Sequence, residues 1–182
     1  MAAPRARTAK GRLRRQLLLD AVLRVLEQFG ASGVNHRAVA AEAGLPLAAA
    51  TYYFSGIDDM LASALRQATE IQARVLAGLA GAPLRTIARV LSAYVGEHRY
   101  AAIAQYELLF LAMRNDSLRE DADLWYRGLD DAVAARMPDL AALPERRRQV
   151  AWAVDGLLIQ MLWRGDPSTP EEIETALAAV FS

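Results

Sequence analysis

The sequence has no cysteine, one lysine and only two histidines in 182 residues. Without cysteine there is no disulfide framework, no thiol nucleophile and no Cys-ligated zinc. His36 and His98 alone are a thin basis for a histidine metal site, so neither a metal nor a cofactor is expected. No apolar run reaches the roughly 18 residues that a membrane helix needs. The longest candidate, Val150 to Trp163, is interrupted by Asp155 and Gln160. The first 15 residues are basic but lead into no uncharged apolar stretch with a small-residue cleavage site, which argues against a signal peptide. A soluble, cytoplasmic chain with no membrane partner is the expectation. Signatures of catalysis are missing too: there is no Gly-rich phosphate loop, no Gly-x-Ser-x-Gly elbow and no His-Glu-x-x-His pair. The carboxylate pairs Asp58-Asp59 and Asp130-Asp131 are adjacent on expected helices and so do not share a face. No enzyme is expected.

What is present is enough apolar material for a core, 54% of residues, with 23% charged. The formal charge is zero, 21 basic against 21 acidic residues, but the two signs are separated. Residues 1–55 carry eight basic side chains and three acidic ones, and the remainder carries thirteen and eighteen. Such a split suggests two different partners, the basic end favouring a polyanion.

Every long segment reads as helix. Residues 1–11, rich in Arg, Ala and Thr, lack an apolar period and read as a flexible basic arm. From residue 12 to 29, Leu18, Ala21, Val22, Val25, Leu26 and Phe29 form one apolar stripe that stops at Gly30. Asn35 is an N-cap for a short second helix closed by Gly44, and Pro46 opens a third from about Leu47 to Phe54. A long helix follows from Ile57 to about Ala80, and turn clusters then leave helical stretches near 84–98, 99–114, 117–136, 144–164 and 170–181. No segment alternates with a period of two, so the fold class is all-α.

Two short helices joined by a Gly-containing turn match a helix-turn-helix, whose second helix enters the major groove of double-stranded DNA. Val39, Ala43, Leu45, Ala50 and Tyr53 fall where apolar residues are required, and Ala40 is small where the helices cross. An ordinary helical hairpin has the same turns and small crossings, so the pattern alone leaves that reading open. The run Asn35-His36-Arg37-Ala38-Val39-Ala40-Ala41-Glu42-Ala43-Gly44-Leu45-Pro46-Leu47-Ala48-Ala49-Ala50-Thr51-Tyr52-Tyr53-Phe54, followed by Asp58-Asp59-Met60-Leu61, resembles the DNA-binding domain of the tetracycline-repressor (TetR) family of bacterial regulators over about residues 12–61. Tyr106-Glu107-Leu108-Leu109-Phe110 and Asp155-Gly156-Leu157-Leu158 resemble segments of that family's regulatory domains.

The resemblance implies a three-helix DNA-binding domain over 12–56 and a helical ligand-binding and dimerisation domain over 57–182. It implies a homodimeric regulator, a repressor that leaves its palindromic operator when a small-molecule effector binds. Two positions depart from the family: Ile57 stands where many members have a phosphate-contacting Lys, and Pro46 where a Ser or Thr begins the helix. The departures shift backbone anchoring toward the arm, so the DNA-binding candidates are Arg5, Arg7, Arg12, Arg14, His36, Arg37, Leu47, Ala48, Ala49, Thr51, Tyr52 and Tyr53. Arg, Thr and Tyr can position phosphates or reach base edges, whereas Leu47, Ala48 and Ala49 offer only apolar contact such as to a thymine methyl. His36 is equally readable as a solvated residue. A helical small-molecule-binding or protein-interaction protein that no longer reads DNA is the alternative.

Val150 to Trp163 is apolar around nearly its whole circumference and must be covered on both sides. One side is assigned to a twin chain: Val150, Val154, Leu157, Leu158 and Met161, with Ile173, Leu177 and Phe181 of the last helix. Aromatic and sulfur-bearing residues gather in the middle helices. An apolar effector site is expected from Tyr94, His98, Tyr106, Phe110, Met113, Trp125, Trp152 and Asp155.

Overall fold

The computed structural model describes residues 9–165 and 168–182, leaving out the side chains of residues 140 and 141. Among them are nine α-helices and no strand: α1 Ala9–Phe29, α2 His36–Glu42, α3 Leu47–Tyr53, α4 Ile57–Gly78, α5 Leu84–Val95, α6 Arg99–Leu111, α7 Arg119–Arg136, α8 Pro144–Arg164 and α9 Pro170–Phe181. Short 3-10 turns occupy Ala31–Gly33, Asp116–Leu118 and Pro138–Ala142. None of the described helices is long and apolar enough to cross a membrane. Helix α1 starts three residues before the expected boundary, so Lys10 and Gly11 are helical rather than part of an arm. Extending a helix adds one hydrogen bond per residue and needs no apolar stripe. Helix α5 ends at Val95, earlier than expected, because the chain turns at Gly96, where the Gly96 and His98 amides donate to the carbonyls of Ser92 and Ala93.

The chain forms two compact units, the first comprising residues up to Ala68 with Ile103–Ala122. Its core is the stripe of α1 (Leu18, Ala21, Val22, Val25 and Leu26) with Val39, Ala50, Phe54, Met60, Leu65, Leu108, Leu109 and Leu118. Each fully buried Val, Leu, Met or Phe side chain among these contributes about 1.5–3 kcal/mol. Phe29, expected on that stripe, is exposed because α1 ends there. Its Cβ stands against the point where a side chain on Gly33 would begin, so the following turn needs glycine. Polar ties fix α4 to its neighbours. Arg15 donates to the Ser63 hydroxyl at 3.1 Å, and Gln67 donates to Asp20 at 3.1 Å. Arg66 reaches the buried Asp121 carboxylate with two bonds of 3.1 and 3.2 Å, a geometry that fixes orientation as well as distance. These contacts explain why the first unit extends past residue 56 and takes in residues 103–122.

The second unit comprises Thr69–Ala102 and Asp123–Ser182. Helices α5 and α9 pack along each other, burying Ala88 and Val95 of α5 and Ile173 and Leu177 of α9. Thr169 and Glu172 form a reciprocal capping box at the start of α9, and Ser92 donates to the Ser168 carbonyl at 2.8 Å. A second cluster joins Val133, Val150 and Ala151 to Leu129, Met137, Val180 and Phe181. This packing corrects the expected dimer face. Val150, Val154, Leu158, Met161, Ile173 and Leu177 are buried within the chain and so are not available to a partner, while Leu157 and Phe181 are half-buried and keep part of their surface. The exposed side of α8 is the opposite one, with Trp152 64% and Trp163 85% exposed and Ile159 between them.

Candidate functional site

The helix-turn-helix is assembled by local chemistry. Asn35 begins α2, its side-chain oxygen accepting from the Ala38 amide at 2.9 Å while its amide group donates to the Gly33 carbonyl at 3.1 Å. At the other end Gly44 takes a left-handed φ of 63°. The Leu45 amide then bonds back to the Ala40 carbonyl at 2.9 Å, closing α2 by a pattern that only glycine enters without strain. Pro46, extended at φ −60° and ψ 145°, starts α3. Ala40 and Ala50 are buried, and their small size lets α2 and α3 approach closely.

Helix α3 therefore has a defined inner side. Ala50 is buried and Ala49 and Tyr53 half-buried, while Leu47, Ala48, Thr51 and Tyr52 are exposed and share the outer face. The Tyr52 and Tyr53 rings meet edge to face at 5.0 Å. The Thr51 hydroxyl lies 3.3 Å from the Ala48 carbonyl and 3.4 Å from that of Leu47, so it is oriented by its own helix. Just beyond, Phe54 is buried under the Arg15 guanidinium, 5.6 Å from the ring centroid. The Asp59 carboxylate accepts from the Ser55 amide and hydroxyl at 2.9 and 3.1 Å, and Asp58 accepts from Asn115 at 3.0 Å. The acidic pair thus fastens the entry to α4.

Of the expected DNA contacts, Arg12, Arg14 and Arg37 are exposed, and Arg5 and Arg7 lie outside the described residues. His36 is not simply solvated. Its Nε2 donates to the Phe54 carbonyl at 3.1 Å, tying the start of α2 to the end of α3, and Arg24 pairs with Glu42 to hold α1 against the other end of α2.

The expected effector residues fall in both units and differ in exposure. In the first unit Tyr106 is buried, its ring 6.3 Å from that of Phe110, but Phe110 and Met113 are 50% and 65% exposed. In the second unit His98 and Trp152 are exposed, His98 because it lies in the turn after α5 and Trp152 because it is on the outer side of α8. These four exposed residues do not line an enclosed apolar site. Trp125 is buried, and Tyr94 and Asp155 are half-buried. The Tyr94 phenol is pushed well above its ordinary range, first by burial and then by the negative charge of Asp155. The same two causes raise Tyr126. Tyr126 was not among the expected ligand contacts: it adjoins Trp125 in sequence, and nothing local reveals that it approaches α8. Among the described residues no group of three or more His, Cys, Asp or Glu side chains could hold a metal ion.

Residues 80–182 match a family model described as "Tetracyclin repressor-like, C-terminal domain". A solved member of the TetR family from Streptomyces coelicolor A3 is 36% identical, with 93% of this chain and 98% of that one covered at a TM-score of 0.77. The multidrug binding protein EbrR in complex with ethidium is also 36% identical, with 92% and 97% covered at a TM-score of 0.74. EbrR has in addition been solved with proflavin and with malachite green. Among curated proteins, the HTH-type transcriptional regulator BetI of Brucella suis biovar 1 (strain 1330) is 27% identical over 157 residues, 81% of this chain and 79% of that protein.

Proposed function

The chain belongs to the tetracycline-repressor family of transcriptional regulators, and from that premise we propose that it is a homodimeric repressor whose hold on a palindromic operator is released by a small molecule. The observation that carries the DNA-reading part is the outer face of α3, where Leu47, Ala48, Thr51 and Tyr52 stand exposed on a helix fixed by the Asn35 cap, the Gly44 turn and the His36 bond to Phe54. Residues 9–56 act as the head, with α1 beginning at Ala9, preceded by the basic residues of the N-terminal arm, and the chain from 57 onward acts as the regulatory part. Arg12, Arg14 and Arg37 supply phosphate contacts, with Arg5 and Arg7 of the arm. Because the recognition helix carries no Arg or Asn that could pair with a base edge in bidentate fashion, specificity leans on Thr51, Tyr52 and DNA shape.

Two heads on a two-fold axis would read half-sites about 34 Å apart. The dimer forms through the outer side of α8, where Trp152, Ile159 and Trp163 recur at helical spacing. Release follows when an effector favours the arrangement of heads that fits the operator poorly. The bound dyes of EbrR support an aromatic small molecule as the effector class.

The test is selection of bound fragments from the source genome by the purified protein, followed by footprinting at two salt concentrations. A short protected palindrome whose affinity falls steeply with salt is expected. Arg37→Ala should weaken binding across sequences and lower the salt slope by about one. A folded protein that enriches no site even at low salt would overturn the reading in favour of an interaction protein.

A further inference from the structure

Helix α3 carries no charged side chain along its whole length. Leu47 and Ala48 begin it, in the part of a recognition helix that meets base edges, and Thr51 follows four and three residues later, so the three side chains adjoin on one face. All three are exposed. The structure shows what Thr51 has to offer there: its hydroxyl donates to the carbonyls of Ala48 and Leu47, at 3.3 and 3.4 Å, the back-bonding that threonine makes within helices. A hydroxyl has one hydrogen. With that hydrogen turned to its own helix, only the lone pairs are left for a partner, and the patch is an acceptor beside two apolar side chains.

In the major groove this combination matches one kind of base pair. Adenine presents its N6 amino group as a donor, and the thymine paired with it presents a methyl group. Guanine presents two acceptors, N7 and O6, with which an accepting hydroxyl makes no bond. Cytosine has a donor at N4 but no methyl group, so opposite it Leu47 and Ala48 would cover polar edges and leave them unpaired.

We propose that the first turns of α3 read A·T pairs, with the thymine methyl seated against Leu47 and Ala48 and the adenine N6 amino group donating to the Thr51 hydroxyl. The proposal rests on the DNA-reading part of the function above and adds the identity of the bases and the residues that select them. Leu47 and Thr51 set specificity at adjacent points of each half-site.

The experiment uses the purified full chain and the operator duplex recovered by genomic selection, remade with single-atom-group changes in its bases. Deoxyuridine in place of thymine removes only the methyl group, and at one or more positions of each half-site it should lower affinity about fourfold, the worth of burying one such group. Purine in place of adenine removes the N6 amino group and should cost about fivefold, the net value of one neutral hydrogen bond. Each loss should belong to its own residue. Leu47→Ala should bind the thymine and deoxyuridine duplexes alike, and Thr51→Val, which keeps the shape and removes the acceptor, should bind the adenine and purine duplexes alike. Both positions are exposed, and thermal melting of each variant checks that the head is intact. Wild-type affinity that is unchanged when every half-site thymine is replaced, analogue losses that persist in the two variants, or a loss with 7-deazaguanine that Thr51→Val abolishes overturns the proposal while the regulator reading stands. A folded protein that enriches no duplex at all overturns that reading and this proposal with it.

Discussion

The DNA-reading head and helix α8 are both apolar stretches that hold aromatic side chains out to solvent, yet they are built by opposite means. In the head, direction is imposed locally: an Asn cap, a left-handed Gly and a His-to-carbonyl bond leave α3 one way to lie, with Tyr52 outward and Ala50 inward. Helix α8 has 21 residues with large apolar groups on all sides, and only packing against distant parts of the chain decides which of them turn inward. The difference teaches that a helix whose orientation is set by its ends can be read from a short window. One whose orientation is set by its flanks cannot.

The largest effect that would test this contrast is a pair of truncations. Phe54→Ala removes a ring that is fully buried under Arg15 and should cost about 3–5 kcal/mol. Trp163→Ala removes a still larger ring that is exposed, and should change the stability of the monomer by about 0.5 kcal/mol or less. Urea denaturation at protein concentrations low enough to separate any dimer gives both values. Similar losses from the two would mean that the outer side of α8 is covered by its own chain.

Next in size is the effect on association. Trp152→Glu combined with Trp163→Glu places two charges on the proposed partner face. Sedimentation equilibrium should show a dimer weakened by about 2 kcal/mol or more, roughly thirtyfold, since exposed tryptophans at the centre of an interface are its usual anchors. Leu177→Ala, by contrast, should reduce stability rather than association, because Leu177 is buried between α9 and its neighbours. A dimer indifferent to both glutamates would return the interface to another surface.

Most of the architecture was legible in the residues themselves. The helix boundaries follow glycines, prolines and caps that act within a few residues, and they agree with the observed elements to within about three positions at most sites. Legibility failed where the deciding contact spans the chain. The pairing of Arg66 with Asp121 leaves no periodic trace, and the inward side of α8 follows from Val133 and from residues of α9. The exposure of the effector candidates was illegible for the same reason. An aromatic-rich run gives composition but not depth, so Phe110 and Met113 carry the same sequence signal as the buried Tyr106 and yet stand exposed.

The smallest effect separates two roles for His36, the phosphate contact that the sequence suggests and the bond to Phe54 that the structure shows. If its ring touches a phosphate, His36→Ala should reduce the salt slope of operator binding by about one. If the ring serves to hold α2 to α3, the slope should stay unchanged while stability falls by about 1 kcal/mol, the usual net value of such a bond. The bond from Nε2 to the Phe54 carbonyl favours the second outcome, because that nitrogen already has its acceptor. Operator affinity should still drop severalfold, since α3 would lose one of its few external supports and its outer face would sample more orientations. A variant with full stability and a reduced slope would show that the contact to Phe54 gives way when DNA is bound, and would place His36 among the residues that touch the backbone.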